Sequence, residues 1–324
     1  MEISVVDQSP IFTNTNADQA IRDSVELAQY SDQIGLKRFW LAEHHGSSSF
    51  AGCSPEILIP RIAASTKTIR VGSGGVMLMH YSPYKVAENF RLLESMFPRR
   101  IDLGLGRAPG SDPFQAGALA YGSKTTGPEF FPTKMNDLRS FLSNKTPKTK
   151  SFENVNVTPG LGGVPDTWLL VSSEQGADYA SFFGLPMSLA YFINQDCLHL
   201  VKPYRENFQK SIFGDSPQVS VAVFAICAET NEEANLLASS ASIWRENISK
   251  GIFGPFPTLE EATKRIKDKD KEERKSIVGD QNYVEGQLMK ILEETNADEL
   301  KIITICESMS SKKESYRLIK EIFS

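Results

Sequence analysis

Short β-rich runs alternate with longer amphipathic stretches along the chain, the pattern of a parallel α/β fold in which each strand returns through a helix. A first strand is predicted over 2–6. Between 17 and 34, Ala20, Ile21, Val25, Leu27, Ala28 and Ile34 recur at helical spacing, and Gly35 supplies the stop. A second strand over 38–42 runs into Glu43-His44-His45, and Pro55 opens a helix to about 66, as proline does at a first helical position. The third strand, 70–78, carries three glycines; Pro83 starts a helix to 97, and a fourth strand over 101–105 ends at Gly106-Arg107.

Periodicity then lapses. The Gly-, Ala- and Ser-rich stretch 108–128 is too long for an ordinary βα turn and reads as a functional or mobile loop. A helix over 131–142 precedes a polar excursion, 145–163, in which a small hairpin is expected around 152–157. The alternation resumes with a strand at 167–171, a helix at 174–183, a strand at 187–191, a helix at 195–213 and a strand at 219–227. Helices over 232–248, 260–274 and 282–293 lead to a last strand, 299–306, and a closing helix, 312–323. Strands each followed by helix predict the α/β class and a single (β/α)8 TIM-type barrel spanning 1–324, with insertions after strand 4 and before the last strand. The charge-dense run 264–275 reads as a solvated face, and 250–280, with Gly251, Gly254, Pro255 and Pro257, as a candidate lid together with 108–128.

Composition narrows the function classes. The 324 residues are 40% hydrophobic and 23% charged, enough apolar material for a large core. A net charge of −5 gives no electrostatic footprint for nucleic acid or an anionic membrane. The start Met1-Glu2-Ile3-Ser4 lacks the basic and apolar regions of a signal peptide, and no apolar run approaches the roughly 20 residues that span a bilayer. Cys53, Cys197, Cys227 and Cys306 form no Cys-x-x-Cys, so reduced thiols in a cytoplasmic protein are expected.

In such a barrel the chemistry sits at the C-terminal ends of the strands. Adjacent histidines in an extended segment face opposite ways, which suits a shared metal poorly, and no His-Glu-x-x-His accompanies them. No metal is expected. One histidine facing the barrel mouth would be a general base or acid with a pKa near working pH, and a structural histidine is the competing reading. Arg107 could hold a phosphate through paired donors or form a rim salt bridge. Ser172-Ser173 opens a helix, where serine commonly caps and where free N–H groups also suit an anion. Glycines in a strand, here 72–75, mark close approach of a ligand or an unusual peptide geometry. Together these features point to a flat, phosphorylated cofactor.

The strings Trp40-Leu41-Ala42-Glu43-His44-His45, Ser54-Pro55-Glu56, Arg70-Val71-Gly72-Ser73-Gly74-Gly75-Val76-Met77-Leu78, Ser82-Pro83, Lys85-Val86-Ala87-Glu88 and Arg100-Ile101-Asp102-Leu103-Gly104-Leu105-Gly106-Arg107-Ala108-Pro109-Gly110 resemble, in this order, the bacterial luciferase-like flavin monooxygenases. Phe183-Gly184-Leu185-Pro186-Met187 extends the likeness. The resemblance implies reduced FMN at the strand tips, O2 activation through a flavin C4a-hydroperoxide and oxygenation of a small organic substrate. It implies His44 as the acid/base near the flavin, Gly74-Gly75 as a cis peptide beneath the ring, Arg107 on the phosphate, and Ser172, Ser173 and Gly176 on a second phosphate-binding turn. Gly106 stands where luciferase α subunits carry a reactive cysteine, which argues against light emission, and Met79 where many relatives have proline. With no dinucleotide fingerprint visible, a separate flavin reductase is expected; a homo-oligomer is expected through the apolar face of helix 83–97. An F420-dependent oxidoreductase of the same fold, or a non-catalytic flavin-binding subunit, are the alternatives.

Overall fold

The computed structural model describes residues 1–108, 110–160, 163–265 and 276–324. Its strands are β1 (Glu2–Asp7), β2 (Arg38–Leu41), β3 (Arg70–Met77), β4 (Ile101–Gly106), β5 (Asp166–Val171), β6 (Met187–Ala190), β7 (Val219–Cys227), β8 (Ser276–Gly279) and β9 (Glu299–Ile303). The helices are α1 (Ala17–Gln33), α2 (Pro55–Ser65), α3 (Pro83–Met96), α4 (Pro113–Ala120), α5 (Phe131–Leu142), α6 (Glu174–Phe183), α7 (Val201–Asn207), α8 (Asn231–Leu237), α9 (Ser239–Ser249), α10 (Leu259–Arg265), α11 (Gln281–Thr295) and α12 (Met309–Ile322). Strands β1 to β7 pair in parallel with their sequence neighbours, and β9 pairs with both β7 and β1, closing an eight-stranded parallel barrel. The predicted barrel and both insertions are present. β8 lies outside the ring and adds only to Phe224–Cys227 of β7.

Local chemistry sets the helix limits. Asn16, Asp112, Ser173, Thr230, Asp280 and Ser308 each cap a following helix by accepting a backbone N–H. Helix α6 ends at Gly184 with φ +64°, where a Cβ would collide with the Gln209 carbonyl oxygen, so glycine serves both the left-handed turn and the close approach. On α1, Ala20, Val25, Leu27 and Ala28 are buried, as their spacing predicts.

Several elements differ from the sequence expectation. The 108–128 stretch contains α4, capped by Asp112; none of its residues is buried, which is why no periodicity marks it. Around 152–157 there is a 3-10 turn, Lys150–Phe152, and no hairpin among the described residues. The helix expected over 195–213 is a 3-10 segment, Gln195–Leu200, followed by α7, which stops at Asn207 because Gln209 donates to the Ser181 carbonyl and Ser211 bridges Gly214. The helix expected over 232–248 divides at Ala238 into α8 and α9. The strand β8 was not foreseen, and 266–275, most of the charged run and part of the candidate lid, lie outside the described residues.

The barrel floor is built from charge. Arg38 Nη1 donates to both Asp102 oxygens at 2.9 Å, and Arg38 Nε to Glu299 at 3.0 Å. Arg70 Nε and Trp40 Nε1 also donate to Asp102, at 2.7 and 2.9 Å. Lys301 Nζ donates to Ser220 Oγ at 2.5 Å, faces Glu299 at 3.3 Å and lies 4.1 Å from the ring centres of both Trp40 and Trp168. Burial alone would raise the Asp102 pKa, but Arg38 and Arg70 hold it below the ordinary 3.8. Burial, partly offset by Glu299, takes Lys301 down to about 8. Arg38, Arg70, Asp102 and Glu299 sit at the N-terminal ends of their strands, opposite the mouth, where a barrel carries stability rather than chemistry.

Candidate active site

The loop leaving β2 carries Glu43-His44-His45 and is pinned at its backbone. Ala42 N donates to Asp7 O, His44 N to Gly52 O and His45 N to Gly110 O, at 2.9–3.0 Å. The His44 ring stacks on Phe50 at 4.3 Å and 22°; Phe50 in turn meets Trp244 and Phe256 edge-on, and those two stack at 4.6 Å. His44 Nδ1 is buried without a hydrogen-bond partner among the described residues. Burial, with a smaller contribution from His45, lowers its pKa to about 4. The expected pKa near working pH is therefore corrected. In apolar surroundings the imidazolium is disfavoured, so His44 is neutral at pH 7 and can accept a proton there. An NMR titration should show its ring shifts inflecting near pH 4, and a midpoint at or above 6.5 would contradict this packing. Because the unfolded chain binds that proton more readily, the group makes folding stability rise with pH between about 4 and 6.5.

His45 turns to other partners, as adjacent residues in extended chain should. Its Nε2 lies 2.7 Å from Glu43 Oε1, which also accepts from Tyr81 Oη at 2.7 Å; Glu43 Oε2 accepts from Met77 N at 3.0 Å. Burial and Glu43 push the Tyr81 pKa well up, so its phenol is a fixed donor. Glu56 nearby is raised chiefly by burial, with Glu43 adding repulsion. The sequence marks Glu43 as part of the Glu43-His44-His45 strand-end cluster but gives it no role, and nothing in the chain pattern marks Tyr81. The α4 segment touches this loop, since a Cβ on Gly46 would meet the Gln115 side chain at 2.6 Å.

Beside it, β3 advances from Ser73 to Val76 while β4 advances only from Leu103 to Leu105, a one-residue bulge, and within it the Gly74-Gly75 peptide is cis. A Cβ on Gly74 would sit 3.0 Å from Trp40 Cβ, and one on Gly75 2.8 Å from the Gly104 carbonyl oxygen. A side chain at Gly75 would have to displace the β4 backbone and one at Gly74 would crowd the Trp40 side chain, so the two glycines keep a bare surface over the indole. At Gly106 a Cβ would approach Met77 Sδ at 3.0 Å.

Arg107 leaves β4 and crosses to the start of α6. Its Nη2 donates to Ser173 Oγ at 2.8 Å, its Nη1 to Gln175 Oε1 at 2.7 Å, and the guanidinium lies 5.4 Å from the Tyr179 ring and 5.8 Å from that of Phe131. Burial lowers its pKa. Among the described residues no carboxylate pairs with it, and its donors go to a hydroxyl and an amide. Ser173 caps α6 through the Gly176 N–H, and a Cβ on Gly176 would lie 3.3 Å from Arg107 Nη2. Ser172 occupies the same bend, its carbonyl held by Asn194 Nδ2 at 2.9 Å. The structure thus brings Arg107, Ser173 and Gly176 into one cradle with Ser172 on its rim, while His44 and Gly74-Gly75 stand at the tips of the neighbouring strands β2 and β3.

These residues fit a flavin phosphate ester. The glycine bulge carries no side chain, the Arg107 fork and α6 N–H groups suit a dianion, and the buried Nδ1 of His44 offers one hydrogen-bonding position. Among the described residues no group of three or more His, Cys, Asp or Glu is placed to hold a metal ion.

A family model described as luciferase-like monooxygenase matches residues 1–295. YwcH of Bacillus subtilis is 39% identical over 100% of this chain and 99% of its own. The N-acetyl-S-alkylcysteine monooxygenase of the same organism is 37% identical over 72% of this chain and 70% of its own. Among solved structures, apo-MsnO8 superposes with a TM-score of 0.90 at 34% identity, covering 99% and 98% of the two chains. More distant neighbours, an oxygenating constituent of 3,6-diketocamphane monooxygenase in complex with FMN (18% identical, TM-score 0.72) and an F420-dependent secondary alcohol dehydrogenase (11%, 0.65), share the fold alone.

Proposed function

The chain belongs to the luciferase-like monooxygenase family, and from that premise we propose that it is an FMN-dependent monooxygenase that uses reduced FMN and O2, by way of a C4a-hydroperoxide, to oxygenate a small organic substrate. The observation that carries this reading is the cradle of Arg107, Ser173 and Gly176 beside a side-chain-free glycine bulge. FMN when bound supplies the two electrons by which one atom of O2 enters the substrate and the other leaves as water.

In this reading Arg107, Ser172 and Ser173 would hold the phosphate, Gly176 would leave room beside the Arg107 fork by having no Cβ, and Gly74-Gly75 would face the ring. His44, neutral by burial, would take a proton at Nδ1 from the reacting group only as negative charge develops there to offset the burial that disfavours its imidazolium, and would return it to the same group as the product forms. Phe50, Trp244 and Phe256 keep water from the site, which protects an activated oxygen species from wasteful decay. A separate cytoplasmic reductase provides the reduced flavin, and a homo-oligomer covers the exposed Leu92 and Met96 of α3. No helix among the described residues is long and apolar enough to cross a membrane.

The test pairs purified protein with FMN, NADH, a flavin reductase and a panel of small thioethers and aldehydes, with products followed by mass spectrometry. His44→Ala should lower turnover at least tenfold while FMN affinity stays within twofold. Unchanged turnover would remove His44 from the chemistry. Flavin binding without oxygenated product would favour a non-catalytic subunit, and tight binding of F420 with no O2 consumption would favour hydride transfer.

A further inference from the structure

Arg245 is a half-buried cation on the barrel wall. It lies on α9, next to Trp244, and its guanidinium covers the ring of Phe224 at 4.7 Å. Among the described residues it has neither an ion pair nor a hydrogen bond. Arg38, Arg70 and Arg107, by contrast, each direct their donors at a carboxylate, an amide or a hydroxyl. Burial lowers the Arg245 pKa, and no neighbouring charge compensates. The guanidinium is half-buried, and its nitrogens keep access to solvent, so they are free to take up an acceptor from outside the protein.

Its surroundings are aromatic. Phe224 projects from the C-terminal half of β7 and packs edge-on against Phe192 at 5.3 Å. Both rings, with Leu170, Phe50 and Trp244, border the apolar cluster that also contains Trp40 and Trp168. The same cluster reaches the His44 ring through Phe50 and the glycine bulge through Trp40. A partly buried aromatic wall at the strand tips therefore ends in one cation whose five N–H donors have no acceptor among the described residues. The Arg107 cradle is a separate anion position, closed by its own serine, so Arg245 is not needed for a phosphate held there.

We propose that Arg245 binds the carboxylate of the substrate, so that the protein oxygenates small organic acids whose apolar portion lies along Phe192, Phe224 and Trp244. A carboxylate matches the guanidinium fork with two parallel hydrogen bonds, and in a desolvated pocket such a pair outweighs contacts to a neutral group. The ring beneath keeps the guanidinium plane fixed and lowers the cost of its burial when the site is empty of substrate. A thioether, alkyl or aryl group on the far side of the acid would then face the reacting oxygen, with the charged end held at a constant distance from it. The proposal rests on the monooxygenase reading for what becomes of the substrate, but not for its binding.

Calorimetric titration of the full chain, with and without FMN, separates the two. The probes are butyrate, hexanoate and 4-phenylbutyrate, each against its neutral amide. At least one acid is expected to bind ten times more tightly than its amide, with the longer or aromatic tails binding better. That preference should fall below threefold in both Arg245→Met and Arg245→Gln, and be partly retained in Arg245→Lys. Circular dichroism on each variant confirms the fold, and FMN affinity is expected to change by less than twofold. The proposal is overturned if no acid binds better than its amide, if the preference survives in Arg245→Met and Arg245→Gln, or if FMN rather than the acids is lost. A protein that bound acids in this way but turned none of them over would leave the carboxylate site standing and sink the oxygenase reading.

Discussion

Arg107→Ala should weaken FMN binding by about thirty- to a hundredfold while changing riboflavin binding less than threefold. Hydrogen bonds to a charged group are worth roughly 1.5–3 kcal/mol, and each 1.4 kcal/mol is a factor of ten. The substitution removes both Nη donors and the cation, and it leaves Ser173 and the α6 N–H groups in place. Riboflavin lacks the phosphate, so it reports whether the loss comes from the ester or from a general collapse of the bend. Arg107 also lies on Tyr179 and Phe131, so the variant needs a thermal melt beside the titration. Equal losses for the two flavins would mean that Arg107 does not touch the phosphate.

Asp102→Asn should destabilise the fold by about 3–5 kcal/mol, the usual cost of leaving a buried cation without its partner. At roughly 2–4 °C per kcal/mol for chains of this order, the melting temperature should fall by about 10 °C. The carboxylate accepts from Arg38, Arg70 and Trp40 at once. An amide has one acceptor oxygen and would point its NH2 group at one of those donors, so Arg38 and Arg70 each lose their buried shared carboxylate and are left with Glu299 and the half-exposed Asp166. The pH dependence follows from the sign of the shift. The folded pKa lies below the unfolded 3.8, so the contribution is present above that value and is lost as the pH falls through the folded pKa. The gap between the variant and the parent chain should therefore be full at pH 7 and close in acid. A gap that was the same at pH 3 and pH 7 would show that the charge of Asp102 is not what holds the floor.

What could be read from the sequence depended on how local its cause was. Strand β3 with its glycines, α1 with its apolar stripe and the proline starts of α2 and α3 follow from nearest-neighbour chemistry, and they appear where the spacing puts them. The end of α7 at Asn207 depends on Gln209 reaching Ser181, a contact made only after folding, so the apolar pattern ran past it. Strand β8 is four residues long and pairs with the far end of β7, too little sequence to distinguish from a loop.

The same division holds for the site. Arg107, Ser173 and Gly176 are each at a strand or helix end, positions that carry their own signal, and they do come together. The floor charges were visible only as single polar residues at or near the start of Arg38 to Leu41, Ile101 to Leu105 and Glu299 to Ile303; that strands not adjacent in the ring would pair them required the closed barrel. The depressed His44 pKa depends on Phe50 and the aromatic wall, which arrive from other segments. For Arg245, no pattern in α9 separates a solvent-facing arginine from one lying over Phe224.

The central claim is that the tips of β2 to β5 form a seat for a phosphorylated flavin. Equilibrium titration of FMN into the full chain, followed by quenching of flavin fluorescence, tests it most directly. One FMN per chain is expected, with riboflavin at least tenfold weaker and added inorganic phosphate narrowing the difference. Absence of saturable quenching, or identical affinities for FMN and riboflavin, would contradict it.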